Sequence, residues 1–185
     1  MLAINYTGVY LSAVACAKQM IKYKTPGAMC LIGSMSGLIA NKGFTSSVYN
    51  SSKAAVIQLG RSLAMEWGVI KDFEDVDDDS VAANLPDVLV RKRGIRVNVL
   101  CPGNIMTPVR LLSPHPWQAL LTSNQMVKKN FEDDPELRGI WEKNNMMGRI
   151  SEREEYRGAA LFMLSDASSF MTGSHLIVDG GYTAW

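Results

Sequence analysis

Two residue types that can exchange a proton stand four positions apart in this sequence, Tyr49 and Lys53. The stretch around them, from Val48 to about Glu66, predicts a helix, so both side chains share one helix face. A cation beside a phenol favours the phenolate and lowers the pKa of the phenol. The spacing makes Tyr49 a candidate general acid or base near neutral pH. Because such a pair also arises by chance, the surrounding elements decide what it means.

Other candidate residues follow predicted strands or lie in a predicted helix. Ser34 comes after a buried strand, at the carboxyl edge where parallel sheets place their ligands. Asn5 lies within the motif Asn5-Tyr6-Thr7-Gly8, and the run Pro102-Gly103-Asn104-Ile105-Met106-Thr107 follows a second strand. Taken singly, each has a structural reading: Ser34 as a turn residue, Asn5 as a buried amide, Thr107 as a cap, and Pro102-Gly103 as a turn.

The elements that must position these residues alternate between helix and strand. Short β-rich apolar runs predict strands, and longer apolar segments predict helices. The predicted elements are a helix over 4–21, a strand over 28–32, a helix over 48–66, a strand over 95–100, a helix from a capping box at Ser151–Glu154 to about Leu164, and a strand over 175–179. This order predicts an α/β fold with a parallel sheet and helices on both faces.

Four motifs occur in the order N-x-x-G, S-x-x-G, Y-x-x-x-K and P-G-x-I-x-T. They are carried by Asn5–Gly8, Ser34–Gly37, Tyr49–Lys53 and Pro102–Thr107, and the tail ends in Val178-Asp179-Gly180-Gly181. With these motifs the chain resembles the short-chain dehydrogenase/reductase family. It is most similar to the family's mannitol dehydrogenase, sorbose reductase and xylulose reductase branch.

The resemblance implies a role for each motif residue. Tyr49 would be the general acid in reduction and the base in oxidation. Lys53 would lower the pKa of Tyr49 and bind the nicotinamide ribose, Ser34 would hold the carbonyl oxygen, and Asn5 would position a water that completes a proton relay to Lys53. The nicotinamide carboxamide would be held by a further set of residues, namely Pro102, Gly103, Ile105 and Thr107.

The resemblance also implies a fold and its extent. The chain would be the C-terminal part of a Rossmann-type doubly wound parallel sheet, with strands corresponding to the family's fifth, sixth and seventh. The family's opening glycine-rich turn, which seats a pyrophosphate at a helix N-terminus, has no match in the sequence. We therefore expect residues 1–185 to be a single partial domain whose N-terminal dinucleotide-binding half is missing and whose sheet has one unpaired edge.

Two stretches fit the family pattern poorly, an acidic one at about 68–93 and an irregular one at 109–125. Both are expected to be insertions. Removing 109–125 joins Thr107-Pro108 to Met126, and a valine codon at 109 and a glutamine codon at 125 can carry the ends of an intron. One hypothesis is therefore a retained intron at 109–125, with 68–93 as a second; the other is a genuine loop insertion near the substrate pocket.

Composition limits the remaining classes. Nineteen Lys+Arg against eighteen Asp+Glu leave a net charge of +1, which gives no indication of a nucleic-acid partner. The three cysteines form no CxxC pair and predict small buried thiols in a reducing compartment. His115 and His175 lack partners at metal-ligand spacing, so no metal site is expected. No basic residue precedes Lys18 and no apolar run is long enough to span a membrane, so we expect a cytoplasmic protein.

The combined expectation is an NAD(P)(H)-dependent oxidoreductase that interconverts a secondary alcohol and a ketone, on a polyol or sugar. The branch resemblance favours NADP(H) over NAD(H). It also implies a homo-oligomer built from the helices that carry Asn5 and Tyr49. The alternative is a catalytically silent remnant, or a non-enzymatic interaction partner, of the same family.

Overall fold

The computed structural model describes residues 1–42, 45–70, 94–106, 131–132 and 134–185. Its helices are a six-residue π-helical turn Ala3–Gly8 that continues into α1 (Val9–Lys22), then α2 (Ser47–Trp67), α3 (Leu137–Lys143) and α4 (Arg157–Leu164). Its strands are β1 (Gly27–Ile32), β2 (Ile95–Pro102), β3 (Ile105–Met106), β4 (Ser151–Glu152) and β5 (His175–Val178). Three 3-10 turns, Met35–Gly37, Arg153–Tyr156 and Asp166–Ser168, complete the described elements.

The main sheet is parallel and has the order β1-β2-β5. Ile32 pairs with Leu100, and Pro102 pairs with Val178, so the carboxyl ends of neighbouring strands meet at one edge. Within the described residues β1 pairs only with β2. A second, two-stranded parallel sheet joins β3 to β4.

Helices cover both faces of the main sheet, as the sequence predicts. On one face Val97 and Val99 pack with Ala13 of α1 and Leu63 of α2. On the other face Leu100 packs with Met163 of α4. Alternate residues of β2 therefore face opposite sides of the sheet, which explains why the strand is buried along nearly its whole length.

Helix α2 approaches β2 closely because Gly60 faces the strand. A Cβ on Gly60 would overlap a methyl group of Val99. The absence of a side chain at this position lets the helix that carries Tyr49 and Lys53 lie directly against the sheet.

The side chain of Arg96, in β2, hydrogen-bonds to the end of α4 and to the segment that leads into β5. Its guanidinium donates to the carbonyl oxygens of Met163, Ser165 and Met171 at 2.9–3.1 Å and to Ser168 Oγ at 3.0 Å. A planar fork with five donors suits such a ring of acceptors.

Element boundaries depart from the sequence prediction at two places. The strand predicted to stop at Leu100 continues through Cys101 and Pro102, because these two residues still pair with Ile177 and Val178 of β5. The predicted capping box is displaced by one residue. Glu152 is the cap and exchanges hydrogen bonds with Glu155, whereas Ser151 belongs to β4 and donates its hydroxyl to the carbonyl oxygen of Asn104.

The two ends of the acidic stretch lie against each other. A Cβ on Gly94 would overlap the carbonyl group of Gly68, so the chain leaves the fold after α2 and re-enters it before β2 at nearly the same point. The predicted insertions lie almost entirely outside the described residues. No helix among the described ranges combines the length and the apolar run needed to cross a membrane.

Candidate active site

Ser34, Tyr49 and Lys53 meet at the carboxyl edge of the main sheet. Ser34 follows β1 by two residues, and the first turns of α2 supply Tyr49 and Lys53. The ammonium of Lys53 lies 5.8 Å from the centre of the Tyr49 ring. The structure thus brings together three residues that the sequence analysis selected from two separate motifs.

Ser34 is held by a short turn. It caps the 3-10 turn Met35–Gly37, where its Oγ accepts a hydrogen bond from the backbone N–H of Ser36 at 3.1 Å. The residue is only 6% exposed. Its hydroxyl therefore has a fixed position beside α2 and also interacts with the phenol of Tyr49.

Burial dominates the pKa of Tyr49. Desolvation of the phenolate raises this pKa above its usual value, and the hydrogen bond with Ser34 only partly opposes that rise. The pKa of Tyr49 therefore lies above its usual value, and the lowering expected from Lys53 is not among the causes of the shift. Helical spacing indicates that the two residues are neighbours, but it carries no information on how far each is withdrawn from water.

Lys53 is itself partly desolvated. Its ammonium donates to the carbonyl oxygen of Ile32, the last residue of β1, at 3.0 Å. Desolvation lowers the pKa of Lys53, and the electrostatic influence of Cys101 opposes this shift. Lys53 thereby ties the helix to the carboxyl edge of the sheet.

Asn5 reaches the same helix through a residue that the sequence analysis overlooked. The Asn5 amide donates to Ser52 Oγ at 3.0 Å, and Ser52 Oγ donates to the carbonyl oxygen of Tyr49 at 2.7 Å. Ser52 is completely buried. Its position three residues after Tyr49 on one helix face was a usable signal. Asn5 lies in the π-helical turn before α1, a distortion that is frequent at functional sites.

Cys101 is a second overlooked neighbour. Its thiol is fully buried, and a Cβ on Gly33 would lie 3.1 Å from its Sγ. Burial raises the pKa of this thiol, while Ser34 and Lys53 draw it down. The alternation of inward residues along β2 was the available signal. All three cysteines are free, and Cys16 is exposed, so the expectation of buried thiols holds fully for Cys101 alone.

The residues expected to hold the carboxamide are placed in part. Pro102 ends β2, the backbone N–H of Gly103 donates to the carbonyl oxygen of Val178 at 2.9 Å, and Ile105 lies in β3. A Cβ on Gly103 would lie 2.7 Å from the Cα of Asp179, so only glycine allows this turn to pack against the end of β5. Thr107 lies outside the described residues.

The geometry has a definite chemical capacity. Two hydroxyl groups, from Ser34 and Tyr49, can hydrogen-bond one carbonyl or hydroxyl oxygen, and Tyr49 can exchange a proton with it. A cation stands beside them. No group of three or more His, Cys, Asp or Glu side chains suited to a metal ion occurs within the described part of the chain.

Family profiles match both ends of the chain. The profile described as short chain dehydrogenase matches residues 1–71, and the profile described as enoyl-(acyl carrier protein) reductase matches residues 88–183. Together they include Asn5, Ser34, Tyr49, Lys53 and the run that begins at Pro102.

Curated relatives match the chain over nearly its whole length. A protein of Aspergillus versicolor described as short chain dehydrogenases/reductase notP' is 42% identical over 100% of this chain and 50% of the relative. A D-arabinitol 2-dehydrogenase (ribulose-forming) of Candida tropicalis is 36% identical over 98% of this chain and 51% of the relative. The chain spans about half the length of the curated relatives it matches.

Solved structures share the fold. A short-chain type dehydrogenase/reductase from Mycobacterium marinum is 31% identical with a TM-score of 0.70, over 100% of this chain and 55% of that one. A gluconate 5-dehydrogenase from Burkholderia cenocepacia, in complex with NADP and tartrate, is 25% identical with a TM-score of 0.69, over 98% and 54% of the two chains.

Proposed function

The chain belongs to the short-chain dehydrogenase/reductase family, and from that membership we propose that it carries the catalytic half of an NAD(P)(H)-dependent oxidoreductase that interconverts a secondary alcohol and a ketone. The observation that carries the proposal is the convergence of Ser34, Tyr49 and Lys53 on one edge of the sheet. The raised pKa of Tyr49 supports its part in reduction, because the phenol keeps its proton at neutral pH and has it available for a carbonyl oxygen.

Each residue of the site has a task in the proposed reaction. The Ser34 hydroxyl holds the substrate oxygen, and Tyr49 gives that oxygen a proton in reduction or takes one in oxidation. Lys53 places a positive charge beside the phenol, and this charge stabilises the phenolate left after proton transfer. Asn5, held by Ser52, positions the water that links Lys53 to solvent.

The residues at the carboxyl edge fit the nicotinamide end of the cofactor. The ammonium of Lys53 has three donors, and among the described residues it donates to the carbonyl oxygen of Ile32, so donors would remain for the hydroxyl groups of a ribose. Pro102, Gly103 and Ile105 would contact the carboxamide, and Thr107 is proposed with them. When bound, the nicotinamide supplies the hydride. We propose NADP(H) in preference to NAD(H) from the branch resemblance alone, and separate titration of the two cofactors decides between them.

We propose a polyol or the corresponding ketose as the substrate. The ribulose-forming D-arabinitol 2-dehydrogenase of Candida tropicalis supports this class. D-Arabinitol and ribulose are therefore the first pair to test.

A homo-oligomer is proposed as the working assembly. The π-helical turn, α1 and α2 expose large apolar side chains, including Ile4 at 78%, Leu11 at 58% and Met65 at 78%. Burying such surface is favourable by about 25 cal/mol per Å². Light scattering coupled to size-exclusion chromatography tests the proposal, and a monodisperse monomer at micromolar concentration would reject it.

The test of function uses the 185-residue chain. NADPH and NADH are titrated separately, with nicotinamide fluorescence and protection from thermal unfolding as readouts. Turnover of ribulose is then compared with that of Tyr49→Phe, which keeps the ring and removes the exchangeable proton. The control is Tyr10→Phe, which alters an exposed tyrosine of α1.

The outcomes separate the two proposals of function. Saturable binding with turnover that Tyr49→Phe abolishes and Tyr10→Phe preserves supports the oxidoreductase. A folded chain that binds neither cofactor supports the alternative, a catalytically silent remnant or interaction partner.

A further inference from the structure

The turn that carries Ser34 touches α2 at Gly37. A Cβ on Gly37 would lie 2.8 Å from the backbone nitrogen of Ala54, 2.8 Å from the carbonyl carbon of Lys53 and 3.0 Å from Cδ1 of Ile57. Two of these three atoms belong to the backbone of a regular helix and cannot turn aside. No side chain fits at this position without a shift of the turn or of the helix.

Space is the reason for glycine here, rather than backbone conformation. The described glycines with positive φ are Gly148, Gly173, Gly180 and Gly181, so Gly37 has a φ that other residues adopt freely. An alanine at this position would therefore meet no backbone strain. Its whole effect would come from the contact with α2.

The turn moves as a unit because short hydrogen bonds close it. The backbone N–H of Gly37 donates to the carbonyl oxygen of Ser34 at 3.0 Å, and that of Ser36 donates to Ser34 Oγ at 3.1 Å. A displacement of Gly37 away from α2 therefore carries the Ser34 hydroxyl with it. The far side of the contact is the peptide unit of Lys53, one helical turn after Tyr49.

We propose that Gly37 is a positioning residue for the reaction, and that the missing side chain sets the distance between the Ser34 hydroxyl and the Tyr49 hydroxyl. The proposal rests on the proposed function for its kinetic consequence. The displacement needed to admit a Cβ is on the order of half an ångström, and small misplacements of reacting groups lower rates steeply.

The first variant is Gly37→Ala. We expect kcat for ribulose reduction to fall by about 10- to 100-fold with a smaller change in KM. A second readout needs no turnover. Because the Ser34 bond lowers the pKa of Tyr49, a longer Ser34–Tyr49 distance raises this pKa further. NMR titration of ¹³C-tyrosine-labelled protein measures it, with the Tyr49 signal assigned by its loss in Tyr49→Phe.

Matched controls use glycines that have room. Apart from their own helix backbone, Gly139 in α3 and Gly158 in α4 have no described atom within 4 Å of an added Cβ. We expect Gly139→Ala and Gly158→Ala to leave kcat and the pKa of Tyr49 unchanged. Lys53 and Cys101, the charged and titratable neighbours of the site, are the same in every variant.

The outcomes are distinguishable. A folded Gly37→Ala protein with an unchanged pKa of Tyr49 overturns the proposal. A pKa shift in a chain whose unmodified form shows no turnover supports positioning and rejects the proposed function instead. If Gly37→Ala does not fold, Gly37→Ala with Ile57→Val is compared with Ile57→Val alone. Valine lacks the Cδ1 that the new Cβ would meet, while the two backbone contacts that displace the turn remain. Failure of both variants to fold makes Gly37 a determinant of the fold and overturns the positioning role.

Discussion

The side-chain amide of Asn5 donates a hydrogen bond to the hydroxyl of Ser52 at 3.0 Å across 47 residues of sequence. This bond joins the π-helical turn before α1 to the buried face of α2. Ser52 in turn donates to the carbonyl oxygen of Tyr49, so one hydroxyl holds a proposed relay residue and the backbone of the proposed acid together.

Removing that hydroxyl is expected to uncouple the two helices. Ser52→Ala leaves the Asn5 amide without its partner, which costs about 1–3 kcal/mol of unfolding free energy. In a double-mutant cycle measured by urea unfolding, Ser52→Ala and Asn5→Ala should be non-additive. The control is Ser62→Ala, which removes a hydroxyl bonded to Gln58 within the same helix. Additive effects at positions 5 and 52 would contradict the coupling.

The raised pKa of Tyr49 predicts a loss of stability in alkali. A group whose pKa is higher in the folded state stabilises the fold fully below its usual value of 10.0, and this contribution is lost as the pH rises through the raised value. Tyr49→Phe should flatten this part of the curve of unfolding free energy against pH. The lowered pKa of Lys53 gives a contribution to the free energy of unfolding that is present above pH 10.5 and is lost as the pH falls through the lowered value. Lys53→Met is therefore measured in parallel. Identical alkaline curves for Tyr49→Phe and the unmodified chain would reject the prediction.

The exposed ion pair of Arg149 and Glu155 predicts how the free energy of unfolding changes at acid pH. The guanidinium of Arg149 donates two hydrogen bonds of 2.6 and 2.7 Å to the Glu155 carboxylate, and the backbone N–H of Glu152 donates a third. Together these bonds lower the pKa of Glu155 to about 2. The stabilisation is present above the usual value of 4.5 and is lost as the pH falls towards 2.

Glu155→Gln should therefore weaken the acid dependence of unfolding, most visibly at low salt because the pair is exposed. Glu142→Gln, which breaks a single contact with Arg138 on the surface of α3, is the comparison and should change little. Equal effects of the two substitutions would show that bidentate geometry is unimportant here.

Arg96 should not tolerate replacement by lysine. An ammonium has no planar fork and cannot serve the four acceptors that the guanidinium reaches, so Arg96→Lys is expected to cost about 2 kcal/mol of unfolding free energy. Arg61→Lys, at an exposed position with one bond to Gln58 at 3.3 Å, should be nearly neutral. A neutral Arg96→Lys would mean that these carbonyl groups find other donors.

Sequence patterns predicted the helices and strands better than the contacts between them. The helix that carries Tyr49, the strand before Ser34 and the helices on both faces of the sheet follow from apolar periodicity and turn residues, which are local properties. The contact of Ser52 with Asn5 depends on how α1 packs against α2. The sign of the Tyr49 pKa shift depends on burial that only the assembled edge creates. The displacement of the cap from Ser151 to Glu152 also depends on a distant contact, because Ser151 belongs to β4 and pairs with Ile105 of β3.

Because Gly68 and Gly94 are in contact, we expect the fold to tolerate insertions and deletions in the acidic stretch between them. When the two ends of a chain segment already touch, the folded core is indifferent to the number of residues between them, and each doubling of the loop adds only about 0.6 kcal/mol of closure entropy. A reporter domain or epitope spliced between residues 71 and 93 should leave the Ser34–Tyr49–Lys53 edge intact. For the same reason, a change in the length of the coding sequence between these two glycines would alter the free energy of unfolding only slightly.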